Sequence, residues 1–214
     1  MYDDLIRMYK TYGRIRFSST EKMHIIIAVS VLTIAFTILF SPLTIGLVDD
    51  VWIGAGYSLL ISSLAVITGF LFHELAHKFT AQRYGAWAEF RMYPLGLLLA
   101  LIFSFAGFIF AAPGAVYIQG MISRSQNAKI SLSGPAMNLI VGAIFTLAWA
   151  VLPVGNLMGL GLRIVGLVNL FLAAFNLLPV PPMDGSKIFR WNPILYMCAL
   201  GTSIVLLLFA WGII

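Results

Sequence analysis

The chain is a series of long apolar runs separated by short polar stretches. A helix needs about 20 apolar residues to cross a bilayer, and five runs meet that length, at roughly 24–47, 51–79, 131–152, 157–179 and 193–214. A sixth run, 94–119, reads PLGLLLALIFSFAGFIFAAPGAVYIQ. Gly107, Pro113 and Gly114 break its second half. Two full crossings need about 40 residues, and this run has 26. It is therefore expected to enter and return on one side. Backbone that is not helical is tolerated at membrane depth only where protein or a water-filled cavity satisfies it, so this element should line something. The expected fold is an all-α integral membrane protein of five to six transmembrane helices, with a re-entrant element after the second span.

The basic residues orient these spans. Arg7, Lys10, Arg14, Arg16 and Lys22 precede the first span, and Lys78, Arg83 and Arg91 follow the second. Arg124 and Lys129 flank the third, and Lys187 and Arg190 follow the fourth. With 94–119 re-entrant, twelve of the thirteen basic residues lie on one side and only Arg163 on the other. By the positive-inside rule that side is the cytoplasm. Residues 1–23 then form a cytoplasmic tail, with eight charges and no apolar core of a cleaved leader. Residues 24–214 form one membrane-embedded, multi-pass domain.

Composition agrees. Apolar residues make up 61% of the chain and charged ones 10%, against about 45–50% and 25% in a soluble domain. That excludes a water-exposed globule. The net charge of +5 comes without an interleaved basic and aromatic patch, so no nucleic-acid partner is expected. Cys198 has no second cysteine to pair with and reads as a small buried hydrophobe. His24 reads as interfacial, Arg163 as snorkelling outward, and Asp49 and Asp50 as loop charges.

Against this background, GFLFHELAHKFTAQ (69–82) is out of place. It puts two of the three histidines, His73 and His77, with Glu74 inside an apolar span, where an ionisable residue costs about 2.5–3.5 kcal/mol. On a helix, positions i and i+4 lie about 40° apart around the axis and about 6 Å along it, so both imidazoles can reach one metal. Glu74 points elsewhere and can reach a water on that metal, which is the mechanical sense of the H-E-x-x-H pattern of zinc hydrolases. An accidental packing pair of histidines is the bland alternative. Catalytic zinc takes three protein ligands, and Asp184 is the only other acid near an embedded helix end. The spans carrying His77 and Asp184 run in the same direction, and both residues sit just before basic residues, so they should arrive at a similar depth near the cytoplasmic face.

HELAH (73–77), SGPAMN (133–138) and NLLPVPPMDG (176–185), in that order, resemble the site-2 protease family of intramembrane zinc metalloproteases over about residues 51–190. Ala76 and Ser186 stand where that family often has glycine. The resemblance implies a three-helix core holding one zinc ion per chain through His73, His77 and Asp184, with Glu74 as general base. It implies that Asn138 positions the substrate backbone or stabilises charge near the metal, and that 94–119 guides substrate. The partners expected are transmembrane protein substrates and the bilayer. Pro179 and Pro182 either expose backbone that an extended substrate pairs with or merely end a helix. Asn176 either supports the site or packs. Two other functions compete: a metal transporter, although no internal repeat is visible, and a catalytically inactive membrane chaperone of the same fold.

Overall fold

The computed structural model describes residues 15–109, 112–152 and 155–213. Arg7, Lys10 and Arg14 lie outside them. Ser18 opens helix α1 (Ser19–Ile45), its hydroxyl accepting from the Glu21 amide at 3.1 Å, and after Lys22 no Asp, Glu, Lys or Arg follows until Asp49. Asp50, expected as a loop charge, caps α2 (Val51–Val66) by accepting from the Trp52 and Ile53 amides at 2.7 and 3.2 Å. That helix passes through a single π-helical stretch, Ile67–Leu71, into α3 (Phe72–Arg83). Such insertions recur at functional sites because they re-aim the residues that follow. Here the two histidines come next.

After α3 the chain forms strand β1 (Trp87–Met92), helix α4 (Pro94–Phe105) and strand β2 (Gly114–Gln119). The strands pair antiparallel, with Phe90 opposite Val116 and Met92 opposite Gly114. The Tyr93 amide donates to the Pro113 carbonyl at 2.9 Å and closes the base of the excursion. The run 94–119 thus leaves and rejoins one ladder, as a re-entrant element must. Its helix of 12 residues is about 18 Å long at 1.5 Å per residue, too short for a hydrocarbon core of about 30 Å. Leu97, Ala100 and Ser104 face inward, while Leu95, Leu98, Ile102 and Phe105 are exposed. This small ladder is the one departure from an all-helical fold among the described residues.

Three helices complete the bundle: α5 (Arg124–Val151), α6 (Asn156–Asn176) and α8 (Pro193–Trp211), with the short α7 (Asp184–Trp191) before the last. Among the described residues five helices, Val51–Arg83 counted as one, are long and apolar enough to cross a membrane, which makes this a membrane protein. Helices α5 and α6 approach closely because Gly142 faces Leu170 and Gly166 faces Thr146, where a methyl group would collide. Three readings are corrected here. Arg163 does not merely snorkel: it donates to the Ala210 and Trp211 carbonyls, both at 2.9 Å, and closes the end of α8. His24 has a partner, the Met92 amide at 3.4 Å. Cys198 is exposed, lining an open groove with Leu132, Pro135 and Leu139 of α5.

Asn169, fully buried, ties α6 to the π stretch by donating to Thr68 Oγ1 at 2.9 Å. Asn169→Ala should lower stability in detergent by about 0.6 kcal/mol and by no more than about 1.7, the range found for bonds between membrane helices. Thermal unfolding of the two proteins checks this.

Candidate metal centre

His73 and His77 lie one turn apart on α3 and are both buried. His77 Nδ1 is 2.7 Å from the Ile130 carbonyl of α5. A carbonyl only accepts, so Nδ1 carries the proton and Nε2 presents a lone pair. The third group comes from the start of α7. Gly185 packs against the Leu177 and Leu178 carbonyls, with no space for a side chain. This draws the start of α7 onto the end of α6 and aims Asp184 inward. Asp184 Oδ2 stands 3.1 Å from His77 Nε2 and 3.7 Å from His73 Nε2, and the two Nε2 atoms are 3.0 Å apart.

Three electron-pair donors therefore converge on one space, within 4.8 Å of one another. Neutral imidazoles and a carboxylate repel at such range unless a cation lies among them. In a tetrahedral zinc site with bonds of about 2.0–2.2 Å, ligand atoms sit about 3.3–3.6 Å apart. The observed 3.0, 3.1 and 3.7 Å bracket that range. The donor set and its spacing fit zinc. Lys187 adds to it: Nζ is 3.4 Å from Asp184 Oδ1, leaving Oδ2 for the histidine side. Burial alone raises the Asp184 carboxyl, but the groups around it, the Lys187 ammonium among them, outweigh it and hold Asp184 below its usual value. It is a carboxylate at neutral pH.

Glu74 is not part of this cluster. It points to the ladder, where Oε2 accepts from the Val116 amide of β2 at 3.1 Å. Asn138, fully buried on α5, lies beside His73. As placed, neither its amide atoms nor His73 Nδ1 has a hydrogen-bond partner, and a turn of the amide would let its oxygen accept from that ring nitrogen. Asn176 donates to Leu172 of its own helix at 2.9 Å and does not reach the cluster. Pro179 and Pro182 are exposed in the turn between α6 and α7.

Two contributors were not singled out from the sequence. Gly134 faces the Nε2 atoms of both histidines, where a Cβ would collide; it stood within SGPAMN, but nothing local marks it. The Val116 amide belongs to a strand the apolar run concealed.

The comparisons with known proteins agree with this geometry. The chain is 41% identical over 184 residues to "Putative zinc metalloprotease MJ0611" of Methanocaldococcus jannaschii, covering 85% of this chain and 89% of that one. It is 30% identical over 119 residues to "Zinc metalloprotease MJ0392" of the same organism, covering 55% of this chain and 30% of that one. YwhC of Bacillus subtilis, under the same designation as the first, is 31% identical over 146 residues, covering 58% of this chain and 65% of its own. No protein-family model and no solved structure matches the chain. The chain belongs to the site-2 protease family of zinc metalloproteases.

Proposed function

We propose that this protein is an intramembrane zinc endopeptidase that hydrolyses peptide bonds in or near the transmembrane segments of other membrane proteins. The observation that carries this is the meeting of His73, His77 and Asp184 from two distant parts of the chain, with a non-ligating carboxylate, Glu74, beside them. His73, His77 and Asp184 would hold one zinc ion. When bound, zinc polarises the scissile carbonyl and brings the pKa of a water toward about 7. Glu74 takes a proton from the attacking water and returns it to the leaving amine. Asn138 orients His73 or stabilises charge on the substrate.

A helical substrate must unwind before its carbonyl can be attacked. The ladder offers a place for the unwound segment. The outer edge of β1 is occupied by side chains, whereas the other edge of β2, on the Glu74 side, is free of any further strand among the described residues, and an extended chain can add there. The exposed turn at Pro179–Pro182 leads into Asp184 and offers backbone to the same segment, and Asn176 stands at the end of α6 just before that turn. Basic residues collect at this end of the bundle, which supports a site near the cytoplasmic face of a multi-pass protein of the cell membrane, with the amino terminus inside. Residues 24–214 act as one embedded domain, and no nucleic acid is involved.

Elemental analysis tests the centre before any substrate is found. Wild type should carry about one zinc per chain, and Asp184→Ala, left with two ligands where catalytic zinc takes three, should carry far less. Undiminished zinc in the variant would remove Asp184 from the site.

A further inference from the structure

The most deeply buried opposite charges in the described residues are not at the metal centre. Lys78, next to His77, and Glu21, in the first turn of α1, are both fully buried, with Nζ and Oε2 2.8 Å apart. A buried ion pair is weak evidence for stability, since both ions lose their water. Charges buried this completely call for another reason. The other bonds of this pair supply it. Lys78 Nζ donates to the Ala88 carbonyl at 2.8 Å, and Glu21 Oε1 accepts from the Phe90 amide at 2.9 Å. Ser18 to Glu21 has the form of a capping box, yet the carboxylate turns away from the Ser18 amide and into the strand. Gln82 donates to the same Ala88 carbonyl at 3.1 Å, and His24 accepts from the Met92 amide. Side chains of α1 and α3 thus engage the outer edge of β1 at Ala88, Phe90 and Met92.

This edge is coupled to Glu74. The Phe90 amide points away from β2, so Phe90 and Val116 form a pair without ladder bonds, and the Val116 amide points to the opposite edge. There it donates to Glu74. Glu21 and Glu74 hold the two ends of one rung.

We propose that Glu21 and Lys78 are positioning residues for Glu74: by clamping the outer edge of β1, their buried pair sets β2 so that Val116 meets the Glu74 carboxylate and the free edge faces the substrate. The clamp rests on the protease reading for its purpose but not for its detection. It also has a polarity. Ala88 offers an acceptor and Phe90 a donor, so the cation belongs at 78 and the anion at 21. Exchanging them, Glu21→Lys with Lys78→Glu, keeps a buried pair of opposite charges but removes both backbone bonds. Glu21→Gln with Lys78→Gln removes the charges and keeps an acceptor toward Phe90 and a donor toward Ala88.

Hydrogen exchange of the purified protein in detergent reads the clamp without any substrate. Peptides covering 87–92 should exchange at least about tenfold faster in the charge-exchanged variant and within about threefold of wild type in the glutamine pair. Cleavage of a dye-labelled single-span leucine–alanine peptide with a glycine-rich centre reads the consequence. The charge-exchanged variant should lose at least about tenfold in kcat with zinc content unchanged, and the glutamine pair should restore most of it. Val116→Pro removes an amide that faces away from the ladder, a position where proline is tolerated, and should lower kcat while exchange at 87–92 stays as in wild type. Wild-type exchange and kcat in the charge-exchanged variant would overturn the proposal. So would wild-type kcat in Val116→Pro, which decides alone if the charge-exchanged variant does not fold. The expected exchange pattern in a wild type that cleaves no peptide supports the clamp and overturns the protease reading instead.

Discussion

Glu74→Gln should abolish cleavage and leave zinc in place. Glutamine has the same shape, and its amide oxygen can still accept from the Val116 amide, which stands 3.1 Å from the carboxylate in the native chain. What it cannot do is take a proton. A positioned general base contributes about a hundredfold to ten-thousandfold, so the single-turnover rate should fall by at least about a hundredfold. Because Glu74 lies outside the cluster of His73, His77 and Asp184, zinc per chain by elemental analysis should not change. The pairing of these two results is diagnostic. A transporter using the same ligands would keep its flux in the variant, and an inactive chaperone would show no cleavage to lose. Loss of zinc together with activity would mean that Glu74 is a ligand, and the division of roles between the acid and the cluster would be wrong.

The sequence exposed the long-range parts of this molecule better than the local ones. Five spans stand out because a bilayer demands about 20 apolar residues at a time, and little else produces such runs. The meeting of His77 and Asp184, some hundred positions apart, is legible from the need for a third ligand, from the scarcity of embedded acids, and from both residues preceding basic ones on parallel spans. The ladder was concealed for the converse reason. In 94–119 nearly every residue is apolar, so neither a helical nor a strand period can show against it, and β2 was visible only as glycines and a proline that end the helix. In the sequence Glu21 is one of eight charges in the tail and Lys78 one of the basic residues that follow the second span. Their burial depends on backbone groups of β1, and a strand that has not been seen cannot offer them. His24 was missed in the same way, through its bond to Met92. Gly134 is different again. Its significance is the absence of an atom opposite the histidines, which only the approach of α5 to α3 makes matter.

One methyl group at that position should empty the site. A Cβ on Gly134 would lie 2.7 Å from His73 Nε2 and closer still to His77 Nε2, so it would press on both electron pairs that face the metal. Relief by rotating His77 is opposed by its 2.7 Å bond to the Ile130 carbonyl, and relief by moving α5 would break that same bond. The helix itself gains from the change, since alanine is favoured over glycine in a helix interior by about 1 kcal/mol. Gly134→Ala should therefore remain folded while its zinc affinity falls by about a hundredfold, the upper end of what disturbing the surroundings of metal ligands produces. Gly201→Ala on α8 is the matched control, because a Cβ there meets nothing within 4 Å; its zinc content should equal that of wild type. Thermal unfolding and elemental analysis of the three proteins separate the two effects. If Gly134→Ala binds zinc as wild type does, α5 does not press α3 at this point, and the histidines that hold the metal present it from another face.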